Sequence, residues 1–406
     1  MKHHVLLIGL VWPEPNSSAA GVRMLQLINS FLEKEYIVSF ACAAARSAYS
    51  FPLEEIGVAC YSIQLNDPSF DVFIKVLAPT MVVFDRYIIE EQFGWRVSEN
   101  CPNALRILDS EDLHCLRKAR QKAVKENRDF SLEELLDEET AKREIASILR
   151  CDLTWIISSF EMQLLKNVFK IDERIVQYLP MWVDSKVNTP RSFHEKLHFA
   201  FIGNFLHDPN WDAVLYLKKT IWPRIRKQIP QAQLHIFGAY PSQKVWDLQN
   251  EKEGFIVKGR ADSIASVFDT TRVFLAPLRF GAGVKGKLIE SMVHGVPNVT
   301  TPIGAESMCE TYAWNGYIEE HPDTFATRAV TLYTNQKEWE LSVENGDKIL
   351  QDLYQKNTTF IQKIETTYSE LETHRKHNFL GSLLQYQTLQ ATKYMSKWIA
   401  LKNSKE

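Results

Sequence analysis

Short apolar runs alternate with amphipathic stretches along most of the chain. In the first half, runs rich in apolar and β-branched residues predict strands at residues 5–11, 37–43, 59–65, 81–85, 105–109, 153–158 and 175–179. Patterns with helical spacing, for example at residues 21–34 and 131–149, separate most of these runs. Strands that alternate with helices are typical of a parallel sheet covered by helices on both faces.

A polar segment at residues 184–196, which contains Pro190, interrupts this alternation, and we interpret it as an interdomain linker. Beyond it, strands predicted at residues 199–203, 233–237, 255–258, 273–277 and 298–301 again alternate with helical patterns. From about residue 323 the pattern predicts only helices. The chain is therefore expected to be an α/β protein with two Rossmann-like, doubly wound domains and a helical C-terminal tail. Ligands of such sheets bind beyond the carboxyl ends of the strands.

The composition fits two globular domains and argues against nucleic-acid binding and against a membrane-spanning protein. With 406 residues, 45% of them hydrophobic and 24% charged, the chain is too long for a single ordinary core. Its formal charge of −3 argues against general nucleic-acid binding, which needs a basic excess. Its six cysteines have no metal-binding spacing and indicate a reducing compartment. The first apolar run is short and soon followed by Pro13, and no run reaches the ~18 residues of a membrane span, so we predict a cytoplasmic protein.

The segment at residues 274–290 has the features of a phosphate-binding loop. A predicted strand ends, three glycines follow and a helix begins; glycines let the backbone approach a ligand, and free N–H groups at a helix start favour an anion. Lys287 and Glu290 share a helix face, so one can hold a diphosphate while the other accepts hydrogen bonds from a ribose. The alternative is a glycine-rich turn with surface lysines. The candidate residues are Arg279, Gly281, Gly283, Val284, Lys285, Lys287 and Glu290.

Three other motifs in the C-terminal half of the sequence are each set aside on position, composition or local structure. The glycines of the loop also match a dinucleotide fingerprint, but they lie late in the second domain rather than after its first strand. A nucleotide-triphosphatase loop would need Ser or Thr in place of Leu288. The H-E-x-x-H motif from His194 to His198 would need a helix to bind zinc, whereas a strand pattern begins at residue 199. We therefore expect no metal site.

Three segments of the sequence together resemble the donor-binding domain of glycosyltransferase family 4, whose members have the GT-B fold. The longest reads P-L-R-x-G-A-G-V-K-G-K-x-x-E-x-M-x-x-G-x-P at residues 277–297 and continues to Thr301, Gly304 and Glu306. The segment F-I-G-N-F-x-x-x-P-N-x-D-A at residues 201–213 is similar to the opening of such domains. The segment V-K-G-R at residues 257–260 looks like the loop that meets the nucleobase.

The resemblance implies a GT-B enzyme with an N-terminal acceptor domain at residues 1–183 and a nucleotide-sugar donor domain at residues 184–377. A C-terminal helix at about 378–402 would return to the first domain. In the donor site, Lys287 and the amides of residues 283–285 would hold the diphosphate, and Glu290 would accept from the ribose hydroxyls. The remaining implied residues are Gly203 and Asn204 after the first strand of the donor domain, Gly259 and Arg260 beside the base, and Gly21 and Arg23 in the acceptor-side loop.

Two departures from the family pattern concern the sugar and the leaving group. Ala282 stands where the family has the first carboxylate of an E-x7-E pair, and Asn204 stands where it often has a basic residue. The resemblance implies a retaining reaction in which phosphate charge is stabilised without a metal. The absence of any D-x-D triplet in the sequence is consistent with that. No cofactor is expected, since the nucleotide-sugar is a substrate.

The segment at residues 109–114 ends a predicted strand of the N-terminal domain and is expected to face the cleft. Asp109, Asp112 and His114 are candidates to orient the acceptor or act as a base, and we predict catalytic roles for Asp109 and His114 beside Lys287. An equally weighted alternative is that Ser110 or Asp112 caps the following helix.

Basic residues crowd residues 117–128 and recur with aromatic residues in the tail at 393–405. Two interpretations stay open: a peripheral contact with an anionic membrane or a lipid-linked acceptor, and a solvated helix face balanced by acidic neighbours. The interpretation as a peripheral membrane contact places the enzyme on the inner face of the cell membrane.

Together these features predict a hexosyltransferase-type enzyme of polysaccharide biosynthesis that transfers a sugar to a glycan, a lipid-linked saccharide or a small molecule. The alternatives are a sugar-nucleotide epimerase or phosphorylase on the same architecture, and a non-catalytic nucleotide- or carbohydrate-binding protein, which Ala282 motivates.

Overall fold

The computed structural model describes residues 2–183, 192–309, 311–356 and 359–403. Within these ranges the chain forms two entirely parallel sheets, one of seven strands and one of six. The first has the order β3-β2-β1-β4-β5-β6-β7. Its strands are β1 His4–Gly9, β2 Ile37–Cys42, β3 Ala59–Ser62, β4 Met81–Asp85, β5 Leu105–Asp109, β6 Leu153–Ile156 and β7 Val176–Tyr178.

The second sheet has the order β10-β9-β8-β11-β12-β13. Its strands are β8 His198–Ile202, β9 Leu234–Phe237, β10 Phe255–Gly259, β11 Thr271–Ala276, β12 Asn298–Thr300 and β13 Gly316–Ile318. The sequence pattern predicted the first five of these strands and missed β13, which is only three residues long and begins with a glycine.

Helices cover both sheets. Those of the N-terminal half are α1 Ala19–Glu33, α2 Ser69–Leu77, α3 Tyr87–Ile89, α4 Trp95–Asn100, α5 His114–Lys125, α6 Glu134–Asp137, α7 Glu139–Arg150 and α8 Ser159–Asn167. Those that follow β8 are α9 Asp208–Tyr216, α10 Trp222–Gln228, α11 Gln243–Trp246, α12 Ile264–Thr270, α13 Gly286–Val293, α14 Pro302–Ala305, α15 Pro322–Thr334 and α16 Gln336–Leu353. The tail contains α17 Thr359–Ser369, α18 Leu371–His377 and α19 Phe379–Asn403.

The central strands are continuous apolar runs because helices cover both of their faces. In β1, Leu6 and Ile8 belong to the core on one side of the sheet, whereas Val5 and Leu7 belong to the core on the other side. This two-residue period follows from strand geometry. The sequence therefore forms a buried parallel sheet here, as the pattern predicted.

The tail returns to the N-terminal domain earlier than the helix expected at 378–402. Phe360, Ile361 and Ile364 of α17 lie in the same core as Trp155 of β6. Helix α19 then packs along α7 and α4. The N–H of Val183 donates to the carbonyl of Tyr354 at 2.8 Å, so the two places where the chain passes between the domains lie side by side.

Most of the predicted linker, residues 184–191, lies outside the described residues. The part that is described contains a 3-10 turn at Phe193–Glu195, and strand β8 begins at His198. His194 and His198 are therefore not on one helix. None of the described helices is long and apolar enough to cross a membrane.

Candidate active site

The two domains face each other across a cleft with a cavity of about 740 Å³. Its walls are loops that follow the carboxyl ends of β1, β4 and β5 in the N-terminal domain and of β8, β9, β10 and β11 in the C-terminal domain. This is the position where ligands of parallel α/β sheets bind. The segments predicted from the sequence as an acceptor-side loop and a phosphate-binding loop both line it.

The loop at residues 277–285 connects β11 to α13 and folds against the N-terminal domain; we call it the donor loop. Gly283 has a left-handed backbone conformation, with φ +63°. A Cβ atom at this position would lie 2.9 Å from the Cβ of Asp112 in the opposite domain. Only glycine fits this close approach without strain, so the glycine-rich sequence brings the start of α13 to the cleft.

Lys287 projects from the first turn of α13 into the cavity. Its Nζ donates a hydrogen bond to Oδ1 of Asn210 and lies 4.5 Å from the centre of the Phe201 ring. Burial, followed by repulsion from Lys285, lowers its pKa to about 7. An ammonium group in such a place gains from a bound anion, because the anion restores the interactions that water supplied. Asn210 in turn donates to the carbonyl of Asn204 at 2.8 Å, a positioning contact that the sequence analysis did not identify.

Two further ionisable groups of the predicted donor site also line the cavity. Lys285 is 8% exposed, and its Nζ donates to the carbonyl of Gly283 at 2.7 Å. Burial lowers its pKa to about 8, partly opposed by the charge of Glu306. Burial raises the pKa of Glu290 to about 7. The pKa values of Lys285, Lys287 and Glu290 therefore all lie between about 7 and 8 in this structure.

The amide of Gly283, which the resemblance assigned to the diphosphate, is occupied in this structure. It donates at 2.8 Å to Oε1 of Glu161 in the N-terminal domain, and the same oxygen accepts from the N–H of Leu113 at 3.0 Å. Glu161 is fully buried, and burial raises its pKa to about 8. The donor loop is therefore fixed to the opposite domain by the carboxyl group of Glu161. The sequence analysis did not identify this residue, because nothing in the local pattern distinguishes it.

Other contacts between the domains surround this one. Arg120 donates to the Gly281 carbonyl at 2.9 Å and forms an ion pair with Glu306 at 2.6 Å. The hydroxyl oxygens of Ser158 and Ser307 lie 2.8 Å apart. We call this set the interdomain clasp; it consists of Arg120, Ser158 and Glu161 on one side and Gly281, Gly283, Glu306 and Ser307 on the other.

The prediction that Asp109 and Arg23 act at the cleft is wrong. Both side chains are fully buried and form an ion pair with each other at 2.9 Å, and Arg23 also donates to the Leu179 carbonyl at 2.9 Å. Asp109 has the same strand parity as Leu105 and Ile107, so its side chain points to the face covered by α1. The pair stabilises the packing behind the cleft.

His114 begins α5 and does line the cavity, with its Nε2 3.3 Å from Oδ1 of Asp112. The N-terminus of this helix is not capped by Ser110 or Asp112. Instead the N–H groups of His114 and Cys115 donate to the two carboxylate oxygens of Glu144, at 3.0 and 2.9 Å. A carboxylate at this position also complements the helix dipole.

The predicted base-binding region contains a contact between the domains. The guanidinium of Arg260 lies 3.7 Å from the centre of the Tyr49 ring and lines the cavity. Nearby, the hydroxyl of Tyr240 donates to the carboxylate of Glu14 at 2.8 Å. Gly259 adopts φ +71° against Trp246 and does not line the cavity of the described residues.

Of the remaining predicted residues, Gly203, Asn204, Gly281, Val284 and Gly21 line the cavity. Arg279 does not line it in the described structure, because its side chain is paired with Asp212, at 2.9 Å from Nε.

The basic stretch at residues 117–128 is largely neutralised by its own neighbours. Arg117 pairs with Asp112, Lys118 donates to Thr140 at 3.0 Å, and Arg128 pairs with acidic residues of its own loop. This arrangement supports the interpretation as a balanced helix face over that of a lipid-binding surface.

Comparison with known proteins supports the predicted architecture. Residues 196–335 match the family described as "Glycosyl transferases group 1". No curated protein is similar enough to match the chain. Among solved structures, HepE from Anabaena in complex with UDP and glucose has a TM-score of 0.65 at 14% identity, with 90% of this chain and 99% of HepE covered.

Two further solved structures have the same fold. Sucrose-phosphate synthase from Thermosynechococcus elongatus has a TM-score of 0.64 at 14% identity, with 93% of this chain and 100% of the synthase covered. TarM from S. aureus, in complex with UDP, has a TM-score of 0.57 at 14% identity, with 73% of this chain covered, and this chain spans 58% of TarM. At these identities the likeness concerns the fold, and it confirms the two-domain GT-B arrangement.

Proposed function

We propose that this chain, which has the GT-B fold and matches the group 1 glycosyltransferases at residues 196–335, transfers a sugar from a nucleoside diphosphate to a hydroxyl of an acceptor. The observation that carries the proposal is the pair Lys285 and Lys287 at the start of α13, both facing the cavity with lowered pKa values. Desolvated cations beside a helix N-terminus form a site suited to a diphosphate.

We propose that Lys287 stabilises the charge that develops on the leaving diphosphate. Asn210 orients its Nζ. The first turn of α13 adds N–H groups that already point in a fixed direction, so no reorganisation is needed when the charge develops. These groups supply the positive potential without a metal. The resemblance further implies retention at the anomeric carbon, with a diphosphate oxygen accepting the proton of the acceptor hydroxyl.

Glu290 and Arg260 both line the cavity, and we propose that Glu290 accepts hydrogen bonds from the ribose and that Arg260 binds near the nucleobase. UDP is the first nucleotide to test, since the HepE and TarM structures contain it. Ala282 lines the cavity where the family has a carboxylate, so we propose that recognition of the donor sugar depends on other side chains of the cleft.

We also propose a peripheral contact with an anionic membrane through helix α19. This helix exposes Tyr394, Met395, Trp398 and Leu401, and Lys402 lies 5.7 Å from the ring of Trp398. Aromatic and apolar side chains interleaved with lysines are typical of surfaces that bind anionic lipids. Co-sedimentation with phosphatidylglycerol vesicles, compared with phosphatidylcholine vesicles, tests this; equal recovery in both supernatants, also for Trp398→Ala, would rule it out.

The central experiment measures nucleotide binding and turnover on the same preparation. We expect UDP or GDP to raise the thermal midpoint, because a ligand at 100 times its dissociation constant stabilises a protein by about 2.7 kcal/mol. Release of free nucleoside diphosphate from the sugar donor should increase when an acceptor is added. Release without dependence on any acceptor indicates a hydrolase, and binding without release indicates a non-catalytic protein. A ligand-bound crystal structure with the nucleotide away from Lys287 would refute the site assignment.

A further inference from the structure

The N-terminal wall of the cleft carries an ionisable cluster that the proposed mechanism does not use. Asp85 ends β4, Arg86 follows it, and Glu111 lies two residues beyond the end of β5. All three line the cavity. We call these residues the acceptor wall. The backbone of Glu111 approaches the donor loop, since its carbonyl oxygen would lie 3.4 Å from a Cβ atom at Gly283.

Two residues of the acceptor wall have left-handed backbone conformations, with φ 71° at Arg86 and φ 61° at Glu111. Such conformations cost a non-glycine residue energy and are concentrated at functional sites. The N–H of Arg86 donates to the Asp109 carbonyl at 2.8 Å, which fixes the end of β4 to the end of β5. Both residues line the cavity.

The wall contains carboxyl oxygens that have no hydrogen-bond partner. One oxygen of Asp85 accepts from the Leu10 N–H at 3.0 Å and from Arg86 at 3.2 Å. Within the described ranges, its other oxygen and Oε1 of Glu111 are buried and accept nothing from the protein. Asp85 is 5% exposed and Glu111 8%. Buried acceptors without a partner are rare in proteins, so these two are candidates to receive hydroxyl donors from a ligand.

The charge balance of the wall indicates the class of ligand. Asp85, Glu111 and Asp112 contribute three carboxyl groups, whereas Arg86 and Arg117 contribute two guanidinium groups. Both guanidinium groups are already paired, Arg86 with Asp85 and Arg117 with Asp112. A phosphate or carboxylate on the acceptor would therefore have to compete with Asp85 and Asp112 for these two guanidinium groups. Hydroxyl groups, in contrast, donate to carboxyl oxygens.

We propose, on the basis of the function proposed above, that Asp85, Arg86 and Glu111 form an acceptor subsite that binds neighbouring hydroxyl groups of a neutral saccharide and disfavours phosphorylated or carboxylated sugars. Asp85 and Glu111 accept hydrogen bonds from the hydroxyls, while Arg86 orients Asp85. The contact between Glu111 and the donor loop places the bound saccharide next to the leaving diphosphate.

The test is an array of immobilised neutral glycans and their phosphorylated and uronic-acid counterparts, probed with the full chain saturated with UDP or GDP, whichever gives the larger thermal shift. We expect retention on neutral glycans and at least tenfold weaker retention on the anionic counterparts. Glu111→Ala and the near-isosteric Asp85→Asn should weaken retention at least tenfold, with the nucleotide dissociation constant within threefold of wild type. Glu54→Gln, at an exposed ion pair of the same domain with Arg46, is the control that should change neither.

Preferential retention of anionic glycans, no retention of neutral glycans, or unchanged retention by both variants would overturn the proposal. Circular dichroism and nucleotide affinity of each variant report whether it is folded. Failure of the wild type to bind any nucleotide would instead refute the proposed function, so the two failures are distinguishable.

Discussion

Replacing Lys287 by Met removes one positive charge from the donor site and keeps most of the packing. The Nζ of Lys287 lies 4.5 Å from the centre of the Phe201 ring and donates to Asn210. Methionine has a flexible apolar chain of similar length, so its thioether and methyl group can pack on the ring in place of the ammonium group. The variant therefore isolates the contribution of the ammonium group to binding and to the chemical step.

The expected loss follows from the position of the charge. Two unit charges 4 Å apart interact by about 4 kcal/mol at an effective dielectric constant of about 20. Because burial lowers the pKa of Lys287 to about 7, charging it at pH 7 before the donor binds costs only about 0.4 kcal/mol. We therefore expect Lys287→Met to lower kcat/KM about 30- to 1,000-fold. This corresponds to a loss of roughly 2–4 kcal/mol of transition-state stabilisation, as for the loss of an oxyanion donor.

The lowered pKa values also predict how nucleotide affinity depends on pH. Above pH 7 the free Lys287 loses its proton, and above pH 8 Lys285 does so as well. A diphosphate favours the charged forms, so binding takes up protons, and affinity should fall by up to about tenfold per pH unit above 7 for each lysine involved. Calorimetry at pH 7, 8 and 9 measures this slope, and Lys287→Met should show a shallower one.

The same substitution should stabilise the ligand-free protein. The pKa of Lys287 is lowered in the folded state, so between pH 7 and about 10.5 the unfolded chain binds more protons and the stability of the wild type rises with pH. Lys287→Met removes this unfavourable contribution, so its free energy of unfolding at pH 7 should be higher than that of the wild type by on the order of 1–3 kcal/mol. Each unit of pKa shift corresponds to about 1.4 kcal/mol, and the partial exposure of the side chain reduces the total effect. The difference should vanish above about pH 10.5.

Steady-state kinetics, calorimetry and urea unfolding on the two proteins give the three readouts. Lys227→Met, at an exposed lysine of the same domain, is the matched control and should leave all three at wild-type values. Wild-type kcat/KM and nucleotide affinity in Lys287→Met would refute the assignment of this loop to the diphosphate. Lost activity together with lost stability would indicate a structural role instead.

Three further substitutions address other parts of the molecule. Glu290→Ala should raise the dissociation constant of UDP by about tenfold while leaving that of inorganic pyrophosphate unchanged, as measured by calorimetry; equal effects on both would exclude a ribose contact. Arg23→Met leaves the buried carboxylate of Asp109 uncompensated and should lower the free energy of unfolding by about 3–5 kcal/mol in urea titrations, whereas lower kcat with unchanged stability would restore a catalytic role. Gly286→Ala places a Cβ atom 2.7 Å from the Cβ of Ala19 and should lower kcat by hindering closure of the cleft, with little change in the thermal midpoint; wild-type kcat would show that the domains tolerate a wider separation.

The architecture and the donor loop were predictable because they depend on local pattern. Each of these patterns is complete within ten to twenty residues of sequence: continuous apolar runs, helical spacing, and a glycine-rich turn between a strand and a helix. The predicted residues Lys285, Lys287 and Glu290 all line the cavity; their roles toward a ligand stay predictions. Strand β13 was missed because a three-residue edge strand has too few positions to show a period.

The N-terminal wall was not predictable to the same degree, because its residues are brought together by tertiary contacts. Asp109 is the last residue of a strand, but its parity points it to α1 and to a partner 86 positions away in sequence. Glu161 reaches the donor loop from 122 positions away. A polar residue at a strand end suggests a cleft, and only the packing of the neighbouring helix decides whether it faces the cleft or the core.

The adjacent passages at Val183 and Tyr354 determine how the enzyme can open. Met181 and Val183 pack in the core of the C-terminal domain, whereas Leu179 and Trp182 pack in that of the N-terminal domain. Because Val183 and Tyr354 lie next to each other at these two passages, we expect any opening of the cleft to pivot at this point. Substitutions at Val183 or Tyr354, far in sequence from the donor loop, are therefore expected to affect donor entry and product release through the relative position of the two domains.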